Sequence, residues 1–361
     1  MRKYHVLKRM QQILVCLLLV FLFTGSAAVG AFAAYTKSTM KQINRTSKKT
    51  LKNVDKEMEE EMDFQSLSYN KDIVNILLIG ADKRSDETER GRSDTTMIAT
   101  INKKQKTLKL TSLMRDMFIE IPGYGMHKFN AAYSYGGVEL EYKTIANNFG
   151  IKLDGYVEVD MEAFRNAIDY LGGVEIELSQ GEADYLKRAY QNSSHGEKDV
   201  KPGLNNLSAY QALAYCRIRQ DNSGEYGRTD RQRKVLISLY QKLKKENLQT
   251  LCTTVFHTMN YITTDLDEET IRELLMSVLY VDTNEIQQLR IPYEGSYEEG
   301  RLEDGKGPWV IQVDYEKNRN ALNYFIFGKG EDPGIHEEYG KNNNDFDESN
   351  MPEKTEGIST Y

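Results

Sequence analysis

The sequence predicts an α/β layered domain carried behind one N-terminal membrane helix. Three observations lead there. Short apolar runs alternate with longer stretches of helical period, several helical stretches close on glycine, and residues Gln11 to Thr36 carry no charge. The alternation argues against an all-β fold, because a strand followed by a helical crossover builds layers.

The elements follow in chain order. Arg2, Lys3, Lys8 and Arg9 precede the apolar run "ILVCLLLVFLFTGSAAVGAFAAY", which is long enough to cross ~30 Å of hydrocarbon as a helix. The basic start keeps the N-terminus cytoplasmic and puts the body outside the cell. "AFA" at Ala31–Ala33 resembles a cleavage site, but the run exceeds an ordinary signal core, which favours an uncleaved anchor. Residues 37–70 are polar, a stalk or a linker. "IVNILLIGAD" is a continuous apolar run that suits a buried central strand. "TTMIATINKK" and "TLKLTSLMRD" are two more strands, with a turn near Asn102–Lys106. "KFNAAYSYGGVELEYKTIANNFG" is helical, interrupted at Gly136-Gly137 and closed at Gly150. "GYVEVD" is a strand, "MEAFRNAIDYLGG" a helix and "VEIELS" a strand; residues 192–206 form a polar loop. Helices cover Ser208–Tyr215 and Arg228–Asn247, and "DEETIRELLMSVLY" is another. "EIQQLRIP" is a strand, and "DYEKNRNALNYFIFG" a last helix ending at Gly328.

This divides the chain into a cytoplasmic tail (1–10), a transmembrane anchor (11–35), a linker or stalk (36–70), an extracellular catalytic domain (71–328) and an acidic tail (329–361). The tail sets three lysines against nine acids with few apolar residues and no period, the composition of a solvated, disordered segment. It accounts for most of the net charge of −7, so overall acidity says nothing about the active surface. The three cysteines, Cys16, Cys216 and Cys252, form no disulfide framework and no Cys-x-x-Cys metal pattern; free buried thiols are expected of the last two.

Several classes are excluded by what is missing. The chain has no Gly-x-x-x-x-Gly-Lys-Ser/Thr loop, no Gly-x-Ser-x-Gly elbow and no His-Glu-x-x-His. Its tyrosines are not interleaved with basic residues in the RNA-binding manner, and an exported body leaves no nucleic-acid partner.

The residues with chemistry to offer are charged. Arg217, Arg219, Arg228, Arg231, Arg233 and Lys234 crowd one segment against Asp221, Glu225 and Asp230. A helix, a glycine-containing loop and a second helix bring its two arginine groups to one corner. Guanidinium forks suit pairs of phosphate oxygens, so this corner is expected to grip a pyrophosphate; a solvated basic helix start is the alternative. Asp82 directly follows the first strand and Asp94 opens the second. Side by side they would repel and would need a cation such as Mg²⁺ (or Mn²⁺), which takes oxygen ligands and shares substrate phosphates. The alternative is a mixed-charge surface loop. Arg115-Asp116 closes the third strand, where open α/β sheets bind ligands, and Lys128 opens the following helix, whose N-terminal end favours anions. His127 stands alone and is read as structural.

In order along the chain, "NILLIGAD", "RSDTTM", "SLMRDMFIEIPG", "HKFNAAYSYGG", "GLNNLSAYQALAYCRIRQD" and "GRTDRQRKV" closely resemble the LytR-CpsA-Psr family of cell-wall ligases. The likeness covers roughly Asp72 to Leu243 and continues more loosely to Gly328. It implies an extracellular α/β/α sandwich with a central mixed sheet, single-pass in the cell membrane. The implied activity is a phosphotransferase that moves a glycopolymer phosphate (teichoic acid, capsule or similar) from a polyprenyl pyrophosphate carrier to a peptidoglycan hydroxyl. It further implies Asp82 and Asp94 as Mg²⁺ ligands, and Arg92, Arg115, Arg217 and Arg219 on the pyrophosphate with Arg228 or Arg231 beside them. Lys128 and Gln232 lie in matching motifs. The charge-rich insertion between Asn222 and Tyr226 departs from the pattern and blurs which downstream arginine aligns. Arg115 and Asp116 are the catalytic candidates, and the general base is Asp116 or a metal-ligating aspartate. "FNAAYSY", "MEAFRNAIDYL" and "VLISLY" are candidates to line a lipid tunnel. A non-enzymatic wall-binding protein or transcriptional attenuator is the competing expectation.

Overall fold

The computed structural model describes residues 44–45, 54–58, 67–81, 91–189, 199–218, 224–243, 245–246, 254, 257–258, 261–267, 269–271, 273–274, 286–302 and 305–335. The apolar run 11–35, the loop holding Asp82, and the tail beyond residue 335 lie outside them, as does Arg219. Among the described residues no helix is long and apolar enough to cross a membrane.

A seven-stranded mixed sheet organises the domain. Its strands are β1 (Asn44–Arg45), β2 (Ile73–Ala81), β3 (Ser93–Asn102), β4 (Thr107–Leu113), β7 (Gly155–Asp160), β10 (Ile262–Thr264) and β11 (Gln287–Ile291), in the order β1-β10-β7-β2-β3-β4-β11. β2, β3 and β4 form an antiparallel meander at its centre, while β7 runs parallel to β2 and β11 parallel to β4. Ile73, Val74 and Ile76 to Ile79 of β2 are all buried, as a strand covered on both faces requires.

Each face carries its own layer. On one side lie α2 (Met161–Tyr170), α3 (Gln180–Ala189), α4 (Ala209–Tyr215) and α5 (Gly224–Leu243), with the hairpin of β8 (Val174–Leu178) and β9 (Gly203–Leu207). On the other lie α1 (Ala131–Phe149) and α6 (Tyr315–Phe327). Beside these two helices is a four-stranded sheet ordered β12-β13-β5-β6, from β5 (Met117–Ile121), β6 (Gly125–Lys128), β12 (Tyr297–Arg301) and β13 (Trp309–Val313). The layers form an α/β sandwich around a central mixed sheet.

Local chemistry explains the ends. Asp160 Oδ1 accepts from Ala163 N and starts α2. Ser208 and Gln211 form a reciprocal capping box on α4. Gly150 and Gly328 close α1 and α6 in the left-handed region. The expected break in α1 is real: Gly137 sits at φ 68°, ψ −156°.

Five expectations need correction. Lys128 closes β6 rather than opening the next helix, which starts at Ala131, because pairing with Phe118 holds it in the hairpin. The third strand stops at Leu113 rather than running through Asp116; Met114 N turns away to bond Ile291 O at the end of β11. α5 begins at Gly224, four residues before Arg228; Tyr226, stacked on Tyr297 at 5.3 Å, anchors the extra turn by tertiary contact. The polar loop at 192–206 ends in β9, whose Leu204 and Asn206 face solvent. α3 was not foreseen, although Ser179 and Glu182 form a capping box at its start.

Candidate functional site

The helical layer and the sheet leave a cavity of about 420 Å³ between them. Its floor is apolar: Leu78 and Ile79 of β2, Met97 of β3, Val159 of β7, Met161 and Phe164 of α2, Leu213 of α4 and Leu236 of α5. Cys216 joins this lining as a free thiol that burial pushes up to about 12, so it is uncharged at neutral pH. The polar groups are Asp94, Thr95, Asp160, Arg217, Arg228 and Gln232. Arg217 follows the C-terminal end of α4 and Arg228 lies in the second turn of α5, so the corner between these helices brings both guanidiniums to the same space.

Asp94 joins this cavity to a charged network at the far end of β4. Arg115 Nη1 donates to Asp94 Oδ1 at 2.6 Å. Arg115 Nε donates to Asp116 Oδ2 at 3.3 Å, and Lys128 Nζ donates to Asp116 Oδ1 at 2.6 Å. Asp116 is buried with both oxygens engaged by cations. It therefore orients Arg115 and Lys128, and Arg115 in turn holds Asp94. Lys128 also stands 6.0 Å from the Trp309 ring centroid. The Asp94 side chain is half-exposed while its partner Arg115 is largely covered, so the carboxylate meets the solvent-accessible side of this network.

The other expected residues separate. Arg92 precedes β3 and is exposed. Arg231 is buried away from the cavity lining, with Nη2 donating to Ile218 O at 2.6 Å and Nη1 3.5 Å from Glu182 Oε1. Asp82 and Arg219 are outside the described residues.

Two residues were not foreseen. Asp160 lines the cavity as the last residue of a strand parallel to β2; an acid between a strand and a helix was the available signal. Glu141 of α1 is fully buried, and its Oε1 accepts from Ser93 Oγ at 3.2 Å and Thr96 Oγ1 at 2.6 Å. These hydroxyls flank Asp94 on β3. Burial pushes the Glu141 carboxyl up to about 7, against the pull of Thr96 and Ser93. No local pattern announces such a residue, because its partners are more than forty positions away.

A family model described as the LytR_cpsA_psr family matches residues 35–324. The chain belongs to this family. Among LytR_cpsA_psr relatives, "Polyisoprenyl-teichoic acid--peptidoglycan teichoic acid transferase TagU" of Enterococcus faecalis is 32% identical over 241 residues, covering 65% of this chain and 74% of that protein. "Regulatory protein MsrR" of Staphylococcus aureus is 32% identical over 271 residues, covering 73% and 77%. Among solved structures, "LytR-CPS2A-psr family protein YwtF (TagT) with bound octaprenyl pyrophosphate lipid" superposes with a TM-score of 0.55 at 23% identity, covering 73% of this chain and 95% of that one. That structural likeness establishes the shared fold.

Proposed function

We propose that this protein transfers a glycopolymer phosphate from a polyprenyl pyrophosphate carrier to a peptidoglycan hydroxyl. The observation that carries this reading is the cavity itself: a greasy floor long in Leu, Met and Phe, with Arg217, Arg228, Gln232 and Asp94 among its polar lining. Such a site suits an amphiphile with an isoprenoid chain and a diphosphate head, since apolar burial holds the chain and guanidinium forks hold the phosphates. The TagU relative carries the same activity in its name.

The reaction is an exchange of phosphoesters. An acceptor hydroxyl attacks the polymer-side phosphorus, a new P–O bond forms, and the bond to the bridging oxygen breaks. Polyprenyl monophosphate leaves, and negative charge grows on the equatorial and leaving oxygens. Arg217 and Arg228 are assigned to that charge, and Arg228, being buried, is held in place before the reaction. Arg115 keeps Asp94 turned to the site, and Asp116 and Lys128 keep Arg115 in place. The hydroxyl proton passes to a carboxylate. Asp116 has both oxygens committed. Asp94 and Asp160 line the cavity and each accepts a hydrogen bond through Oδ1; Asp94, half-exposed beside Arg115, is assigned to receive the proton. Arg231, buried on Glu182, is assigned to structure rather than to phosphate.

Asp94 also fits a hard divalent cation, being a half-exposed carboxylate oxygen donor beside guanidiniums that require a shared anion. Asp94 with Asp82 would hold Mg²⁺ or Mn²⁺, which when bound would neutralise diphosphate charge and polarise the phosphoryl oxygens. The charge-free run 11–35 completes the proposal by anchoring the domain on the outer face of the cell membrane, where the lipid carrier is presented.

The test uses full-length protein in detergent with a pyrophosphate-linked lipid and Mg²⁺. Wild type is expected to release polyprenyl monophosphate, and Asp94→Ala to lose roughly 10²-fold or more of that rate. Unchanged turnover in Asp94→Ala would remove the assignment. A joined product on added peptidoglycan oligomers separates transfer from hydrolysis. The name of the MsrR relative motivates the regulatory reading, which expects polymer binding without turnover.

A further inference from the structure

Exposed apolar side chains are not scattered evenly over the molecule. Of the eight exposed large hydrophobic residues among the described ones, Tyr124, Met126, Tyr135 and Tyr315 gather around the β5–β6 hairpin. Tyr124 is its tip, held between Gly123 at φ 80° and Gly125 at φ 77°, and a Cβ at either glycine would meet nothing within 4 Å. Two left-handed glycines thus hold one tyrosine out into open space. Its ring stacks on Tyr135 of α1 at 4.7 Å and 20°, and His127 meets Tyr135 edge-on at 5.5 Å. Tyr124 is 51% exposed and Tyr135 42%. A cluster of this kind marks a binding surface more often than an accident.

We propose that this tip is a stacking platform for the acceptor glycan, an uncharged N-acetylhexosamine strand; the inference rests on the transfer reading above. Aromatic faces are electron-rich and attract the polarised C–H groups on the flat side of a sugar ring. His127 and Glu120, which is exposed and opposite Met126 in the hairpin register, offer partners to sugar hydroxyls. Glu120 disfavours the anionic donor polymer. A membrane-dipping tip would instead present Trp, Phe or Leu, and Pro122 to His127 contain none of these. The platform is also continuous with the charged network, since Lys128, which holds Asp116, is the next residue of the same strand.

The test is binding of a β-1,4-linked N-acetylglucosamine tetramer to full-length protein in detergent, followed by calorimetry and saturation-transfer NMR. Wild type is expected to bind at roughly millimolar concentration. Tyr124→Ala and Tyr135→Ala should weaken binding about five- to tenfold, Tyr124→Trp should retain it, and Leu204→Ala, an exposed apolar change in β9, should leave it unaltered. Equal binding by wild type and Tyr124→Ala overturns the proposal. So does labelling of Tyr124 in the wild-type protein by a photoreactive phospholipid in reconstituted vesicles, which would assign the tip to the membrane. Tyr124-dependent binding without polymer transfer keeps the platform and removes the transfer reading. Transfer with an unchanged half-saturating acceptor concentration in Tyr124→Ala removes the platform alone.

Discussion

Arg217 and Arg231 are fourteen positions apart in one basic segment, yet their surroundings assign them different work. Arg217 is exposed at the cavity, whereas Arg231 is buried against Glu182 and the Ile218 carbonyl. Arg231→Ala leaves a covered carboxylate and carbonyl without their donor and should cost about 2–4 kcal/mol of stability, read from the urea midpoint. Arg217→Ala should stay within ~0.5 kcal/mol of wild-type stability and lose about 10²-fold in lipid monophosphate release. The reverse pattern would exchange their roles. Glu141 gives a second contrast. Its carboxyl is raised to about 7 by burial, from 4.5, so the folded state binds a proton that the unfolded chain has released. That contribution is complete below about pH 4.5 and disappears as pH rises through about 7. Glu141→Gln, which keeps an acceptor for Ser93 and Thr96 without a charge, should therefore be more stable than wild type at pH 8, by up to about 3 kcal/mol, and should lose the advantage at pH 5. Thermal unfolding at the two pH values checks this; an equal difference at both would show that Glu141 does not titrate there.

The helix α1 links the tyrosine tip to the sheet, because its first turns carry Tyr135 and its middle carries Glu141 against β3. Gly137 breaks its regular geometry between them at φ 68°, ψ −156°. Gly137→Ala should lower stability by about 1–3 kcal/mol, measured by chemical denaturation; a neutral change would mean the kink relaxes freely. This break was legible in the sequence, as were the buried β2, the α2 start at Asp160 and the glycine ends of α1 and α6, because each depends on neighbours within a few positions. The α4–α5 corner was legible too, through its arginines. What the sequence could not show depends on distant partners. The β5–β6 hairpin has no counterpart in the sequence reading, which ends the third strand at Asp116, because the pairing of β5 with β13 comes from nearly two hundred residues away. The separation of Arg228 from Arg231 escaped for the same reason: three positions apart on one helix, both are buried on nearly the same face, and only the distant partners Glu182 and Ile218 O draw Arg231 away from the cavity.

The molecule as a whole places the three proposed sites around one sheet. The α2–α4–α5 face encloses the cavity, the end of β3 and β4 carries Asp94 with Arg115, and the second sheet extends from Asp116 to the tyrosine tip. A lipid-linked donor and a glycan acceptor would thus meet at the charged network between the apolar cavity and the aromatic platform. The claim on which this rests is that the isoprenoid chain lies between the sheet and the α2–α4–α5 layer. Photo-crosslinking with a diazirine-bearing polyprenyl pyrophosphate, followed by peptide mass spectrometry, tests it most directly. Adducts are expected on Phe164, Leu213 and Leu236, lost when unlabelled lipid is added in excess. Competed adducts confined to α1 and α6, on the opposite face of the sheet, would contradict it.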